Sequence, residues 1–213
     1  MTHDYYLAQL ELTRYIDKSA VFEDLSSAPP LNWEELRQCV KDCQLCPLHK
    51  SRKQTVFGVG DTKARLMIIG EAPGAEEDRL GEPFVGRAGK LLNMMLKTVG
   101  LDRTNVYICN VLKCRPPNNR DPTLDEVKLC TPYLENQIAL MKPDLLLAVG
   151  RVAAHYLLGI ATPLNKLRGQ TLQFSDLNIP LVVTYHPAYL LRNPRDKGKA
   201  YVDLLRVSRI LAS

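Results

Sequence analysis

Apolar residues follow two rhythms along this chain. Short runs in which almost every position is apolar fall near 66–70 (LMIIG), 105–109 (NVYIC), 144–149 (DLLLAV) and 181–185 (LVVTY). Runs of that length without polar alternation predict strands buried on both faces, the pattern of a parallel sheet covered by helices. Between them, apolar positions recur every three or four residues. Leu91, Leu92, Met95, Leu96 and Val99 do so and predict a helix over 88–99, with further helices over 123–141, 151–158 and 199–211. Thr123 and Glu126 have the spacing of a capping box, and Pro122 ahead of them keeps the helix from extending backward. Gln170 to Phe174 adds at most a short edge strand. Strands alternating with helices predict an α/β fold, a three-layer αβα sandwich around a central four-stranded parallel sheet.

The first residues stand apart. Tyr6, Leu7, Leu10, Leu12 and Ile16 have helical spacing, and Ser26-Ser27-Ala28-Pro29-Pro30 follows as a linker signal. Residues 1–31 are therefore expected to form an N-terminal helical extension, and residues 32–213 the main domain. Asn32 is suited to cap a helix over Trp33 to Val40.

Composition narrows the picture a little. A chain of 213 residues can bury a core without disulfide staples. It lacks a membrane-length apolar run and the basic-then-apolar start of a signal peptide, so a cytoplasmic protein with no membrane partner is expected. The formal charge of +5 conceals an asymmetry. Residues 1–36 carry seven acids and two bases, a net of −5, which leaves +10 on the remainder. Such an excess suits a nucleic-acid binder and also an ordinary solvated surface.

Two features carry candidate chemistry. The stretch Gly70 to Gly89, GEAPGAEEDRLGEPFVGRAG, joins the first apolar strand to the first helix. Open α/β sheets place ligands at such junctions, and its glycines and prolines give a set loop that a ligand can approach closely. The second feature is cysteine spacing. Cys43-x2-Cys46 and Cys114-x15-Cys130 provide four thiols on two separated segments, a donor set suited to an iron–sulfur cluster or to zinc. Cys39-x3-Cys43-x2-Cys46 has the spacing of the radical SAM motif, although it follows an amphipathic helix and leaves Cys114 and Cys130 unused. Cys109 falls inside a strand pattern and reads as core.

Four motifs then occur in order: GEAPG at 70–74, PFVGRAG at 83–89, NVLKCRPPNNR at 110–120 and HPAYLLR at 186–192. With the cysteine spacing, they give residues 40–211 a resemblance to the family 4 uracil-DNA glycosylases, the iron–sulfur branch of that superfamily. The resemblance implies a structural [4Fe–4S] cluster on Cys43, Cys46, Cys114 and Cys130. It implies hydrolysis of the bond between uracil and deoxyribose in DNA, single- or double-stranded, as the first step of base excision repair. A monomer is expected, with residues 1–31 open to a repair-protein partner.

The resemblance also distributes roles. Gly70, Glu71 and Ala72 would line the uracil site, with Phe84 stacking on the ring. Asn110 would read O4 and N3–H through one carboxamide. Glu77 would lie against C5 and exclude thymine. His186 would donate to O2 as charge develops there, and Glu71, with Asn119, would position the water. Arg87, Lys113, Arg115, Arg120 and Arg192 would meet phosphates, and Leu190 and Leu191 would fill the vacated base stack. The best-known members of the superfamily carry an aspartate where this chain has Ala72, so the water-activating carboxylate must lie elsewhere. Two other readings stand beside this one: a radical SAM enzyme using Cys39, Cys43 and Cys46, and a non-catalytic iron–sulfur module that binds DNA.

Overall fold

The computed structural model describes residues 31–174 and 177–212, so the helix expected over 3–18 and the extension it belongs to lie outside the described residues. The strands are β1 (Val59–Gly60), β2 (Leu66–Gly70), β3 (Tyr107–Asn110), β4 (Leu145–Val149), β5 (Leu172–Phe174) and β6 (Ile179–Thr184). The α-helices are α1 (Trp33–Asp42), α2 (Ala75–Leu80), α3 (Arg87–Lys97), α4 (Leu124–Met141), α5 (Arg151–Leu158), α6 (Leu164–Leu167), α7 (Pro187–Arg192) and α8 (Lys197–Ala212).

The sheet order is β1-β3-β2-β4-β6-β5. The four inner strands run parallel, as the apolar runs predict, but β1 and β5 add antiparallel edges, giving a mixed sheet of six strands where four parallel ones were expected. β5 falls within the short edge strand expected at 170–174, whereas β1, at two residues, is too short for a hydrophobic period to mark it. Short edge strands also blunt the sheet against pairing with other chains.

Each inner strand sends alternate side chains to opposite faces. Met67, Ile69, Cys109, Leu146, Ala148 and Val183 pack with Val127, Leu134 and Ile138 of α4 and Ala153 and Leu157 of α5. Leu66, Ile68, Ile108, Leu145, Leu147 and Val182 pack with Leu92 and Leu96 of α3 and Leu204 and Val207 of α8. Both faces are buried, which is why the strands read as unbroken apolar runs.

Two departures from the predicted boundaries have local causes. β3 begins two residues later than expected because Asn105 closes a turn, its Oδ1 accepting the Asp102 N–H at 2.9 Å. The strand then runs on to include Asn110. The short helices α2, α6 and α7 span four to six residues, too few to show periodicity.

Caps behave as the sequence implies. Asn32 Oδ1 accepts the Glu34 and Glu35 N–H groups at 3.0 Å each. Thr123 Oγ1 accepts the Glu126 N–H at 3.3 Å while Glu126 Oε2 accepts the Thr123 N–H at 2.9 Å. Helix α1 docks through Leu36 and Val40 against Phe57, with Trp33 5.3 Å from the Tyr107 ring. This places the first cysteine pair beside α4.

From β2 the chain enters β3 on one side and then crosses to β4 on the other. That reversal opens a crevice beyond the carboxyl end of β2, where doubly wound sheets bind ligands. Thr123→Ala, which removes one side of the α4 cap, is expected to cost about 1 kcal/mol. At this chain length that lowers Tm by roughly 2–4 °C, measurable by scanning calorimetry.

Candidate active site

Gly70 and Asn110 are register partners at the ends of neighbouring parallel strands. The ladder continues past them, with Val111 N–H donating to Gly70 O at 2.9 Å and Leu112 N–H to Glu71 O at 3.0 Å. The start of the glycine-rich loop is therefore held as firmly as the strand it leaves. At Gly70 the reason for glycine is steric. A Cβ there would overlap Asn110 Oδ1 and stand 2.6 Å from Phe84 Cζ. Backbone, carboxamide and aromatic ring thus meet at one point, and both side chains are buried.

His186 reaches the Phe84 ring from the end of β6. It lies over Gly150, whose φ of 98° is a glycine conformation and where a Cβ would come within 3.0 Å of the His186 Cβ. Its ring centroid is 5.6 Å from that of Phe84. Phe84 therefore neighbours both Asn110 and His186, although 76 residues separate Asn110 from His186 in the chain.

The protonation of His186 follows from its contacts. Its Nδ1 accepts the Ala188 N–H at 3.1 Å as the N-cap of α7, so the neutral ring carries its proton on Nε2. Burial, reinforced by the Arg192 cation and opposed by Glu77, holds its pKa down to about 4. At neutral pH it is an uncharged N–H donor. Glu71 is pushed the opposite way, to about 7, first by burial and then by the Asp121 carboxylate, with Arg151 opposing. Such a carboxylate is poised to exchange a proton near neutrality.

Glu77 has a structural task that the sequence did not indicate. Its Oε1 accepts the Val85 and Gly86 N–H groups at 2.9 and 3.0 Å, bracing the turn that carries Phe84. Asn119 is exposed on the loop after β3, and its Oδ1 accepts Arg115 Nε at 2.8 Å. Ala72 is half-buried against the core.

The basic positions divide. Arg87 and Arg192 are exposed and Arg115 is half-buried. Arg120 forms a two-pronged pair with Glu126, at 2.8 and 2.6 Å, and so ties the loop to the start of α4. Lys113 cannot meet a phosphate. It is 1% exposed, and its Nζ donates to Asn110 O at 2.8 Å and to Gln137 Oε1 at 2.6 Å. Its place in the motif comes from bracing the strand end that bears Asn110. Leu190 is likewise corrected: it is fully buried against the α3 and α8 side of the sheet, whereas Leu191, one position on, is 38% exposed. Adjacent residues on a helix point about 100° apart, so Leu190 can face the core while Leu191 reaches solvent.

Cys43, Cys46, Cys114 and Cys130 line one apolar pocket with Leu48, Leu112 and Tyr133. Cys39 is exposed and is not among the residues lining it, and Cys109 is core. Among the described residues no group of three or more His, Cys, Asp or Glu side chains is arranged to hold a single metal ion. Donors already point at the sulfurs: Arg52 Nη1 lies 3.1 Å from Cys114 Sγ, and the Lys113 N–H lies 3.2 Å from Cys130 Sγ. Arg52 also donates to Cys43 O at 2.8 Å, joining the two cysteine segments. Burial raises the Cys46 and Cys114 thiols and carries Cys130 to about 12.

Sequence reading missed Arg52, Arg103, Gly150 and Arg151. A lone arginine in a polar loop carries no local signal of what it will touch. Gly150, directly after an apolar strand, had one.

The crevice defines a class: an α/β protein that carries a carboxamide, an aromatic ring and a neutral imidazole at the carboxyl edge of its parallel strands. A family model, the uracil DNA glycosylase superfamily, matches residues 57–206, and the chain belongs to that superfamily. It is 44% identical over 180 residues to the type-4 uracil-DNA glycosylase of Pyrobaculum aerophilum, covering 82% of this chain and 92% of the relative. The type-4 enzyme of Archaeoglobus fulgidus is 40% identical over 80% of this chain and 89% of its own length. That of Thermotoga maritima is 44% identical over 75% and 83%.

Gly70→Ala is expected to fill the space between Asn110 and Phe84 and to abolish binding of free uracil. Calorimetric titration of the folded variant checks this.

Proposed function

We propose that this chain is a monofunctional uracil-DNA glycosylase that takes deoxyuridine out of the DNA stack and hydrolyses its N-glycosidic bond. The observation that carries the reading is the meeting of Asn110 and Phe84 over the Cβ-less Gly70, with a neutral, Nε2-protonated His186 beside the Phe84 ring. The type-4 names of its relatives agree with it.

A base inside a duplex is out of reach, so the nucleotide must be everted into the crevice. There Asn110 pairs with O4 and N3–H of uracil. Cytosine offers the reverse donor pattern and would leave buried polar groups unpaired, a strong ground for rejection. Phe84 supplies the stacking face, worth roughly 1–3 kcal/mol in single-strand binders. As the bond from C1′ to N1 breaks, the sugar becomes oxocarbenium-like and negative charge collects on uracil O2. His186 Nε2–H donates to that oxygen, and a donor that strengthens with developing charge favours the transition state over the ground state. Glu71 orients the water that adds to C1′ and takes its proton, leaving an abasic sugar and uracil. Glu77 contributes by holding the Phe84 turn.

The four thiols fit a [4Fe–4S] cluster, held by Cys43, Cys46, Cys114 and Cys130, because they lie on two segments around one apolar pocket already supplied with N–H donors. When bound, the cluster would cross-link those segments and supply no step of the hydrolysis. Arg87, Arg115 and Arg192 are the proposed phosphate contacts and Leu191 the wedge, on DNA of either strandedness. No helix among the described residues is long and apolar enough to cross a membrane.

Incubation with a uracil-containing oligonucleotide followed by alkali should cleave the strand at the uracil; intact strands at stoichiometric enzyme would sink the reading. The rate should rise with pH as Glu71 loses its proton, so kcat/KM should show an acid limb near 7 and no second limb from His186 above pH ~5. Glu71→Gln should lower kcat by about 10²-fold or more and remove that limb. His186→Ala should cost about 10²–10³. Serine at 43, 46, 114 or 130 should bleach the visible absorbance of the anaerobically purified protein. Cys39→Ser should leave it, which separates this site from a radical SAM motif.

A further inference from the structure

Phe84 holds its backbone in the left-handed region, φ 53°. That conformation is uncommon for any residue with a side chain and persists only where the surroundings impose it. Three groups impose it here. Gly89, in the first turn of α3, lies so close that a Cβ would overlap the Phe84 carbonyl. Glu77 Oε1 takes the two N–H groups that follow, those of Val85 and Gly86. Arg103, in the turn between α3 and β3, takes the carbonyls. Its Nη2 donates to Pro83 O at 2.8 Å and its Nη1 to Phe84 O at 3.2 Å, with Asn93 Oδ1 3.4 Å from Nη1.

We propose that Arg103 is a positioning residue for base recognition: its guanidinium fork, on two consecutive carbonyls, sets the plane of the Phe84 ring against which the everted pyrimidine lies. This rests on the glycosylase reading above. Arginine suits the task because its donors are fixed in one plane and can hold two acceptors at once, whereas a lysine ammonium is a point charge on a flexible stem. Glu77 and Arg103 grip the same turn, one by its amides and one by its carbonyls, so the ring is held from both.

The kinetic signature follows from what the ring does. Stacking is offered to bound substrate, transition state and departing uracil alike. Its loss therefore weakens binding and leaves the chemical step nearly unchanged. A residue that only supported the fold would instead lower the active fraction, and with it kcat.

The test is a double-mutant cycle between Arg103→Gln and Phe84→Ala, with Arg103→Lys as the conservative variant, read by steady-state kinetics on a uracil oligonucleotide and by inhibition with free uracil. Arg103→Gln should raise KM and the uracil inhibition constant about tenfold while kcat stays within about threefold. Arg103→Lys should recover part of that loss. In the Phe84→Ala background, Arg103→Gln should change KM by less than about twofold, because the ring it acts through is gone. An equal KM effect with and without the ring, a fall in kcat alone, or no effect in the native background would overturn the clamp while uracil release by the native chain still stands. Failure of the native chain to release uracil would overturn the glycosylase reading, and the clamp with it.

Discussion

The parallel register of β2 with β3 sets Gly70 beside Asn110, and the rest of the site is assembled around that pairing. The backbone at this strand end is held by the β2–β3 ladder. Here the ladder runs two residues beyond the strand, so the loop leaving Gly70 is also fixed. Phe84 and His186 then arrive from other elements, Phe84 over a residue that has no Cβ. The site tolerates little slack, since any side chain at 70 would displace Asn110 and Phe84.

Burial does the electrostatic work at this edge, and it acts on both titratable groups toward neutrality. It lowers His186 and raises Glu71, so the imidazole is an uncharged donor and the carboxyl is poised near neutral pH. The capping bond from Ala188 fixes which nitrogen carries the proton, so the helix that begins at His186 also sets its tautomer.

Two buried or half-buried cations connect the cysteine pocket to the site. Lys113 ties the Asn110 carbonyl to Gln137 of α4, and Gln137 in turn donates to Phe57 O at 3.0 Å and to the Tyr107 hydroxyl at 3.2 Å. Arg52 spans the two cysteine segments. An unpaired ammonium inside the core would be costly, and Lys113 is tolerated because its contacts are polar and its neighbours include thiols. Lys113 thus links the cysteine pocket to the end of β3, its N–H on Cys130 Sγ and its Nζ on Asn110 O.

What could be seen without coordinates was whatever depends on local spacing. Apolar runs of strand length, helical recurrence, the cap at Asn32, the capping box at Thr123 and the four ordered motifs are all properties of neighbours in the chain. They determined the inner four strands, the long helices and most of the residues gathered at the crevice. The tertiary structure decided the matters that turn on which way a side chain faces and what meets it from afar. Lys113 and Leu190 sit in motifs that look exposed, yet packing turned both inward; Arg120 and Glu77 were drawn to partners that a motif does not record. Strand β1 was too short to carry a period, and Arg103 became visible only once the turn carrying Phe84 lay against it. Charge and periodicity are written along the chain, whereas burial and long-range hydrogen bonds are fixed only when the layers close.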